Sequence, residues 1–317
     1  MTIRPFDWRD LPLLYRYRRH GIYLDSALAL TRWPGLVPAG ALASYLAPAT
    51  GIFTYLCDQD DRKEAPLLGQ VMHSSGSSFA RLSFLAPETM LESASLPMML
   101  DQITYQIGAR GAFHVLAEVD DGLKAFEALR QAGFAIYARQ RIWELRGMPA
   151  GEARQTDWRL YRRRDLPEVN TLCNDLVPGL VQQIEPPPKN RMRGMVYRQD
   201  GEVKVFVELK YGRQGIWAQP YVHPDTEDFP GRLVKLLEYL PDRRSRPIYL
   251  CVRSYQSWLE RAVEETGAEE LVRQAVMVRH LAVTKKAAET YKLPAINGKQ
   301  AEPTAPFARI KVVDKEK

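Results

Sequence analysis

Four things are scarce in this chain, and each scarcity narrows what it can do. Its 317 residues include three cysteines, Cys57, Cys173 and Cys251, far apart and with no C-x-x-C pair. That spacing argues against a disulfide scaffold or a cysteine-held zinc and suits ordinary reduced thiols. The five histidines, His20, His73, His114, His223 and His280, are scattered. No metal-ligand spacing and no Ser-His-Asp or Cys-His arrangement runs through them, so no metal is expected. No apolar run approaches the length of a membrane span. The opening Met1-Thr2-Ile3-Arg4-Pro5-Phe6-Asp7 has no apolar signal stretch, so the expectation is a cytoplasmic protein with no membrane partner.

Surplus charge is scarce too, once it is located. The net charge is +6, but residues 284–317 hold eight Lys/Arg against four Asp/Glu and so carry four of those six charges. This segment is rich in Lys, Ala and Pro with little apolar periodicity, and reads as a solvated, unstructured tail. A nearly balanced body argues against nucleic-acid binding, except through that basic tail.

What the chain does have is repetition. Ile3-Arg4-Pro5-Phe6-Asp7-Trp8-Arg9-Asp10-Leu11-Pro12 returns as Trp158-Arg159-Leu160-Tyr161-Arg162-Arg163-Arg164-Asp165-Leu166-Pro167. Each copy reads as a strand, a polar turn, then Asp-Leu-Pro opening a helix. A second echo closes each half. Strand Phe113–Glu118, helix Leu123–Ala132, Gly133 and strand Arg139–Leu145 return as Ile248–Arg253, Trp258–Thr266, Gly267 and Arg273–Arg279, the second helix being expected over Gln256–Thr266 as a whole. The period is too long for a solenoid, so two tandem domains of one fold are expected. The expected division is residues 1–147, a linker over 148–157 with breakers Pro149 and Gly151, residues 158–283, and the tail 284–317. Each half is an α+β unit, a mixed and mostly antiparallel sheet flanked by helices. Leu96–Ala109 is its clearest helix, with Leu96, Met99, Leu100, Ile103 and Ile107 on one stripe.

That order, with Leu85-Ala86-Pro87 or Val222-His223-Pro224 closing the fourth strand, resembles the GCN5-related N-acetyltransferase (GNAT) superfamily, in a tandem form. Ala125-Phe126-Glu127-Ala128-Leu129-Arg130-Gln131-Ala132-Gly133-Phe134 is similar to the A-x-x-x-Y-x-x-x-G-F ending of that family, with Leu129 in place of the tyrosine. The resemblance implies direct acyl transfer from acetyl-CoA, as co-substrate, to a small-molecule or peptide amine. It also implies fourth and fifth strands that splay to receive the pantetheine arm, and a pyrophosphate cradle at the next helix N-terminus. By register, backbone at Phe84 and Leu85 would hold the pantetheine, and Ser93, Ala94 and Ser95 would face the phosphates. Ser95 before Leu96-Pro97 is equally a helix cap. The second cradle, Glu227-Asp228-Phe229-Pro230-Gly231-Arg232, is acidic and loses an amide to Pro230, so the second copy is expected not to bind CoA in the usual way.

Chemistry is thinner. The family's tyrosine acid falls on Leu129 and Val263, so neither copy has it. Glu118 at a strand end is a candidate base and Tyr255 a candidate proton donor, each with a bland alternative as turn acid or packing side chain. His73 and the aromatics Trp33, Tyr45, Phe53, Trp217 and Tyr221 border the expected groove. Two functions therefore stay open. One is an N-acyltransferase whose first copy binds acetyl-CoA. The other is a catalytically inactive tandem protein that binds a ligand or protein partner, as monomer or dimer.

Overall fold

The computed structural model describes residues 2–32, 39–42, 45, 50–58, 65–146, 157–187 and 193–281. The expected tail, Trp33 and most of the expected linker lie outside the described residues. In chain order the first half runs β1 (Thr2–Pro5), α1 (Leu11–Tyr17), β2 (Ile22–Tyr23), α2 (Ser26–Arg32), β3 (Ile52–Asp58), β4 (Leu67–Met72) and β5 (Phe79–Ala86). It continues with α3 (Ser95–Gly108), β6 (His114–Asp120), α4 (Lys124–Gln131) and β7 (Ala135–Leu145). The second half runs β8 (Trp158–Leu160), α5 (Leu166–Leu176), α6 (Gly179–Ile184), β9 (Gly194–Gln199), β10 (Glu202–Tyr211) and β11 (Ile216–Val222). It ends with α7 (Phe229–Tyr239), β12 (Ile248–Arg253), α8 (Glu260–Glu264) and β13 (Glu269–His280).

The repeated opening builds the same corner twice. The Arg4 guanidinium makes two bonds to the Asp10 carboxylate, at 2.7 and 2.8 Å, and Asp10 also accepts from the Asp7 N–H at 2.8 Å. Arg159 grips Asp165 through two bonds of 2.6 Å, and Asp165 accepts from the Arg162 N–H at 2.8 Å. The echo in sequence is thus a fork-to-carboxylate clasp between a strand and the helix that follows. Elsewhere local rules hold. The apolar stripe of α3 is buried throughout. Gly133 and Gly267 follow α4 and α8 at φ +84° and +80°, the left-handed turn that stops a helix without a Cβ penalty.

Each half does not close on its own last strand. Among the described residues thirteen strands form one sheet, in the order β1-β3-β4-β5-β6-β13-β7-β12-β11-β10-β9-β8, with β2 on β5. The last strand of each half has changed places. β13 pairs antiparallel with β6, from Gln274↔Asp120 to His280↔His114, and β7 pairs antiparallel with β12, from Ile248↔Leu145 to Arg253↔Gln140. The two exchanged strands pair with each other at the centre. Ala275 and Met277 therefore fill the first half's core, while Trp143 and Leu145 fill the second's. The exchange covers the edges that β6 and β12 would otherwise present.

Two elements were not expected, the short β2 and α6. A third differs. The helix expected over Gln256–Thr266 is a 3-10 run, Ser254–Leu259, followed by α8, and Gln256 breaks it with φ −127° and ψ 31°. Its side chain explains the break, as follows.

Candidate functional site

In the first half, β5 and β6 run parallel from Phe79 and His114 to Arg81 and Leu116, and then diverge. Ser83 is the extra residue of a β-bulge there, since Gln70↔Phe84 is followed by Val71↔Leu82. The chain itself fills the opening. β2 pairs antiparallel with β5, Ile22↔Leu85 and Tyr23↔Phe84. The Leu24 N–H donates to the Ser83 carbonyl at 3.0 Å, and the Leu24 carbonyl accepts from the Glu118 N–H at 2.8 Å. The Glu88 N–H donates to the His20 carbonyl at 2.8 Å, and the Ser26 N–H to the Glu118 carboxylate at 2.9 Å. Residues 20–26 therefore bridge both strands. Gly21 makes this approach possible, because a Cβ there would meet the Phe84 ring at 2.4 Å.

The expected cradle is also turned inward. Ser93 Oγ donates to the Met90 carbonyl at 2.6 Å and lies 2.6 Å from Ser95 Oγ. Ala94 stands at the N-cap position with no side-chain cap, and Glu92 pairs with Lys124 at 3.1 Å. So the backbone expected to be free at Phe84 and Leu85 is paired with β2, and the Ser93 and Ser95 hydroxyls engage each other.

The second half closes its opening by another means. β11 and β12 run parallel from Ile216↔Ile248 to Ala218↔Leu250 before diverging. Aligning this register with Phe79↔His114 sets Pro220 on Ser83 and Val222 on Leu85. The Gln256 amide takes these same main-chain sites: its Oε1 accepts from the Val222 N–H at 2.9 Å and its Nε2 donates to the Pro220 carbonyl at 3.1 Å. Gln256 is the buried residue that breaks the expected helix. At the N-terminus of α7, Asp228 Oδ1 accepts from the Gly231 N–H at 3.3 Å. A carboxylate of the chain thus sits where an anion would. This end is self-capped.

Between the halves lies a cavity of about 790 Å³. Its charged groups are mostly paired. Arg81 reaches Glu118 at 3.2 Å and Glu185 more closely, and Arg253 reaches Glu185 at 3.1 Å. Burial would raise the Glu185 carboxyl, but Arg253 and Arg81 outweigh it and hold it at about 2. Lys210 lies 3.8 Å from Glu208. Asp25, within the filling segment, has no such partner among the described residues, and burial pushes its carboxyl up against the opposing pull of Arg81. Phe79, Trp217, Tyr221 and Tyr255 add aromatic lining.

The structure brings both expected catalytic residues to this cavity without giving either a free hand. Glu118 is buried, with one oxygen accepting from Arg81 and the other from the Ser26 N–H. Burial raises the Tyr255 phenol well above its usual range, only partly opposed by Arg253, which makes it a reluctant proton donor. His73 is a satisfied turn histidine, its Nε2 3.0 Å from the Ser77 carbonyl. Leu129 and Val263 are core residues, buried where a tyrosine was sought. Tyr45 and Phe53 line a separate depression of about 240 Å³, with Arg110 over the Phe53 ring at 4.2 Å. Sequence reasoning missed Glu185 and Arg253. Their one signal is a charged residue ending an apolar run, which is too common to single out.

No family model and no curated protein matches the chain in sequence. Solved structures match it in fold. A GCN5-related N-acetyltransferase from Sphaerobacter thermophilus is 10% identical, with a TM-score of 0.54 over 88% of this chain and 95% of that one. A tandem GNAT protein from the clavulanic acid biosynthesis pathway, in a structure without acetyl-CoA, is 12% identical, with a TM-score of 0.51 over 90% and 99%. At such identities the likeness is one of fold. With its strand order present twice and its last strands exchanged, the chain is a tandem GNAT-fold protein.

Proposed function

We propose that this protein binds a small organic ligand in its central cavity and does not transfer acetyl groups from acetyl-CoA. One observation carries the reading: residues Ile22–Leu24 take the main-chain hydrogen bonds of β5 and β6 that a pantetheine arm would need. The chain runs through that opening as an extra strand, so acetyl-CoA does not fit it as it stands. Backbone bonds of this kind contribute about 1 kcal/mol each, and burying Ile22 and Leu24 about 2 kcal/mol each. Lifting the segment therefore costs on the order of 5–8 kcal/mol. A micromolar ligand gains about 8 kcal/mol on binding. The displacement would consume most of that gain and leave an affinity weaker than millimolar.

A second reading is direct N-acyl transfer to an amine, with the first half as CoA binder. It draws on the fold shared with an N-acetyltransferase and on the Glu118 carboxylate at the point where the strands part. It requires residues 20–26 to leave both strands. Calorimetric titration with acetyl-CoA separates the two. The expected result is no saturable heat up to millimolar ligand, and saturation at one equivalent would replace the first reading with the second. The thiols of Cys57, Cys173 and Cys251 are buried and form no disulfide, which favours a reducing compartment, the cytoplasm.

A further inference from the structure

The five histidines are scattered along the chain, but strand register brings two of them face to face. β6 and β13 pair antiparallel with His114 opposite His280. The Leu281 N–H donates to the Phe113 carbonyl at 2.9 Å. His114 and His280 are therefore the adjoining pair with no backbone bond between them, the kind whose side chains stand closest. Their Nδ1 atoms lie 3.1 Å apart, and the rings meet edge to face at 86° with centroids 4.9 Å apart. By strand alternation both rings share the side of the sheet on which Leu116 and Val278 pack against Ile184 of α6. That buried cluster gives the pair a firm floor. His280 is exposed and His114 partly so, which leaves the pair open to solvent. Neither histidine lines the central cavity.

We propose that His114 and His280 form a two-histidine site for a divalent transition-metal ion, Cu²⁺ ahead of Ni²⁺ and Zn²⁺, which ties the exchanged strand β13 to β6. Two imidazole nitrogens, each about 2.05 Å from one ion, stand ~2.9 Å apart at 90° and ~3.3 Å apart at 109°. The observed 3.1 Å falls between these limits and corresponds to an angle of about 98°. Without an ion, one ring shares its Nδ1 proton with the other. Moving that proton to Nε2 of its own ring frees both Nδ1 lone pairs for the ion, with no change of charge. The His114 ring also hydrogen-bonds the Gln183 backbone, an outer partner of the kind that orients a metal-bound imidazole. Imidazole selects these ions over Mg²⁺ and Ca²⁺, and Cu²⁺ leads the divalent series. The remaining coordination positions fall to water. The two ligands are 166 residues apart in sequence. The site therefore exists only while the last strand of the second half is paired with the first.

Calorimetric titration of the full chain with each metal ion tests this. Ni²⁺ is expected to saturate at one equivalent below millimolar free ion, Cu²⁺ to bind at least tenfold tighter, and Mg²⁺ to give no saturable heat. His114→Gln and His280→Gln each remove one Nδ1 and are expected to weaken Ni²⁺ at least tenfold. Thermal unfolding without metal checks that both variants fold. Because the ion binds only the paired strands, saturating Ni²⁺ should raise the Tm of wild type and leave that of either variant unmoved. Electron paramagnetic resonance of the wild-type Cu²⁺ complex should show coupling to two imidazole nitrogens, a readout that needs neither variant. No saturable Ni²⁺ heat, undiminished binding in the folded variants, or coupling to a single nitrogen overturns the assignment. Adventitious binding at His20, His73 or His223 would survive both substitutions and so gives the second of these results.

Discussion

Arg159 and Arg4 hold equivalent carboxylates with unequal consequence. Asp165 has a side chain 1% exposed, against 11% for Asp10, while the arginines are exposed to 30% and 36%. Breaking a buried pair leaves a charge stranded at a cost of about 3–5 kcal/mol, and solvent reaching Arg159 lowers this to about 2–3 kcal/mol. Arg159→Ala is expected to lose that much in urea unfolding at pH 7, and Arg4→Ala less. The pH dependence has a definite sign. The Arg159 hydrogen bond is the largest influence on the Asp165 carboxyl and holds it below its ordinary value of 3.8. Its stabilisation is therefore complete above that value and disappears as pH falls through the lower native one. Wild type and Arg159→Ala should differ by a constant amount above pH ~5 and converge below pH ~4. A difference that persists unchanged into acid would remove the clasp from the account.

At the scale of elements, two openings of one fold are closed by unlike devices, a strand in one half and an amide side chain in the other. Gln256→Leu keeps the volume and strands the Val222 N–H and the Pro220 carbonyl in a buried site. The expected loss is about 2–3 kcal/mol in urea unfolding. A change under about 0.5 kcal/mol, the size of an ordinary surface substitution, would mean that β11 and β12 close without it. These closures also mark where reading the chain reaches its limit. The α3 stripe, Gly133 and Gly267 were legible because their partners lie within a few residues. β2 was not, because two residues carry no periodicity. Gln256 was read as helical because its real partners lie 34 and 36 residues away.

For the whole molecule, exchange of β7 and β13 makes each half incomplete alone. A partly buried polar chain crosses the same seam: Ser26 Oγ donates to Gln274 at 2.7 Å, Gln140 to Gln274 at 2.9 Å, and the Cys251 thiol to Gln140 at 3.4 Å. It ties α2 to β13, β7 and β12, so the segment that fills the first opening is anchored to the seam. Residues 1–146 and 157–281 expressed apart should aggregate or bind the dye ANS. Expressed together they should elute as a one-to-one complex in size-exclusion chromatography. Two monomeric, cooperatively folding halves would show that the exchange is not needed for either core.

The sequence by itself determined the tandem α+β plan, the two clasped corners and the poverty of the second anion cradle. Each of these rests on local periodicity, capping or charge within one stretch of chain. The tertiary structure alone decided which core receives each last strand. Strands such as β7 and β13 offer the same backbone bonds to either neighbour, so pairing within a half and pairing across halves look alike in the sequence. It also decided that residues 20–26 lie between β5 and β6, and that Arg81, Glu185 and Arg253 meet around one cavity. Those groups come from four distant parts of the chain, and only the closed sheet brings them together.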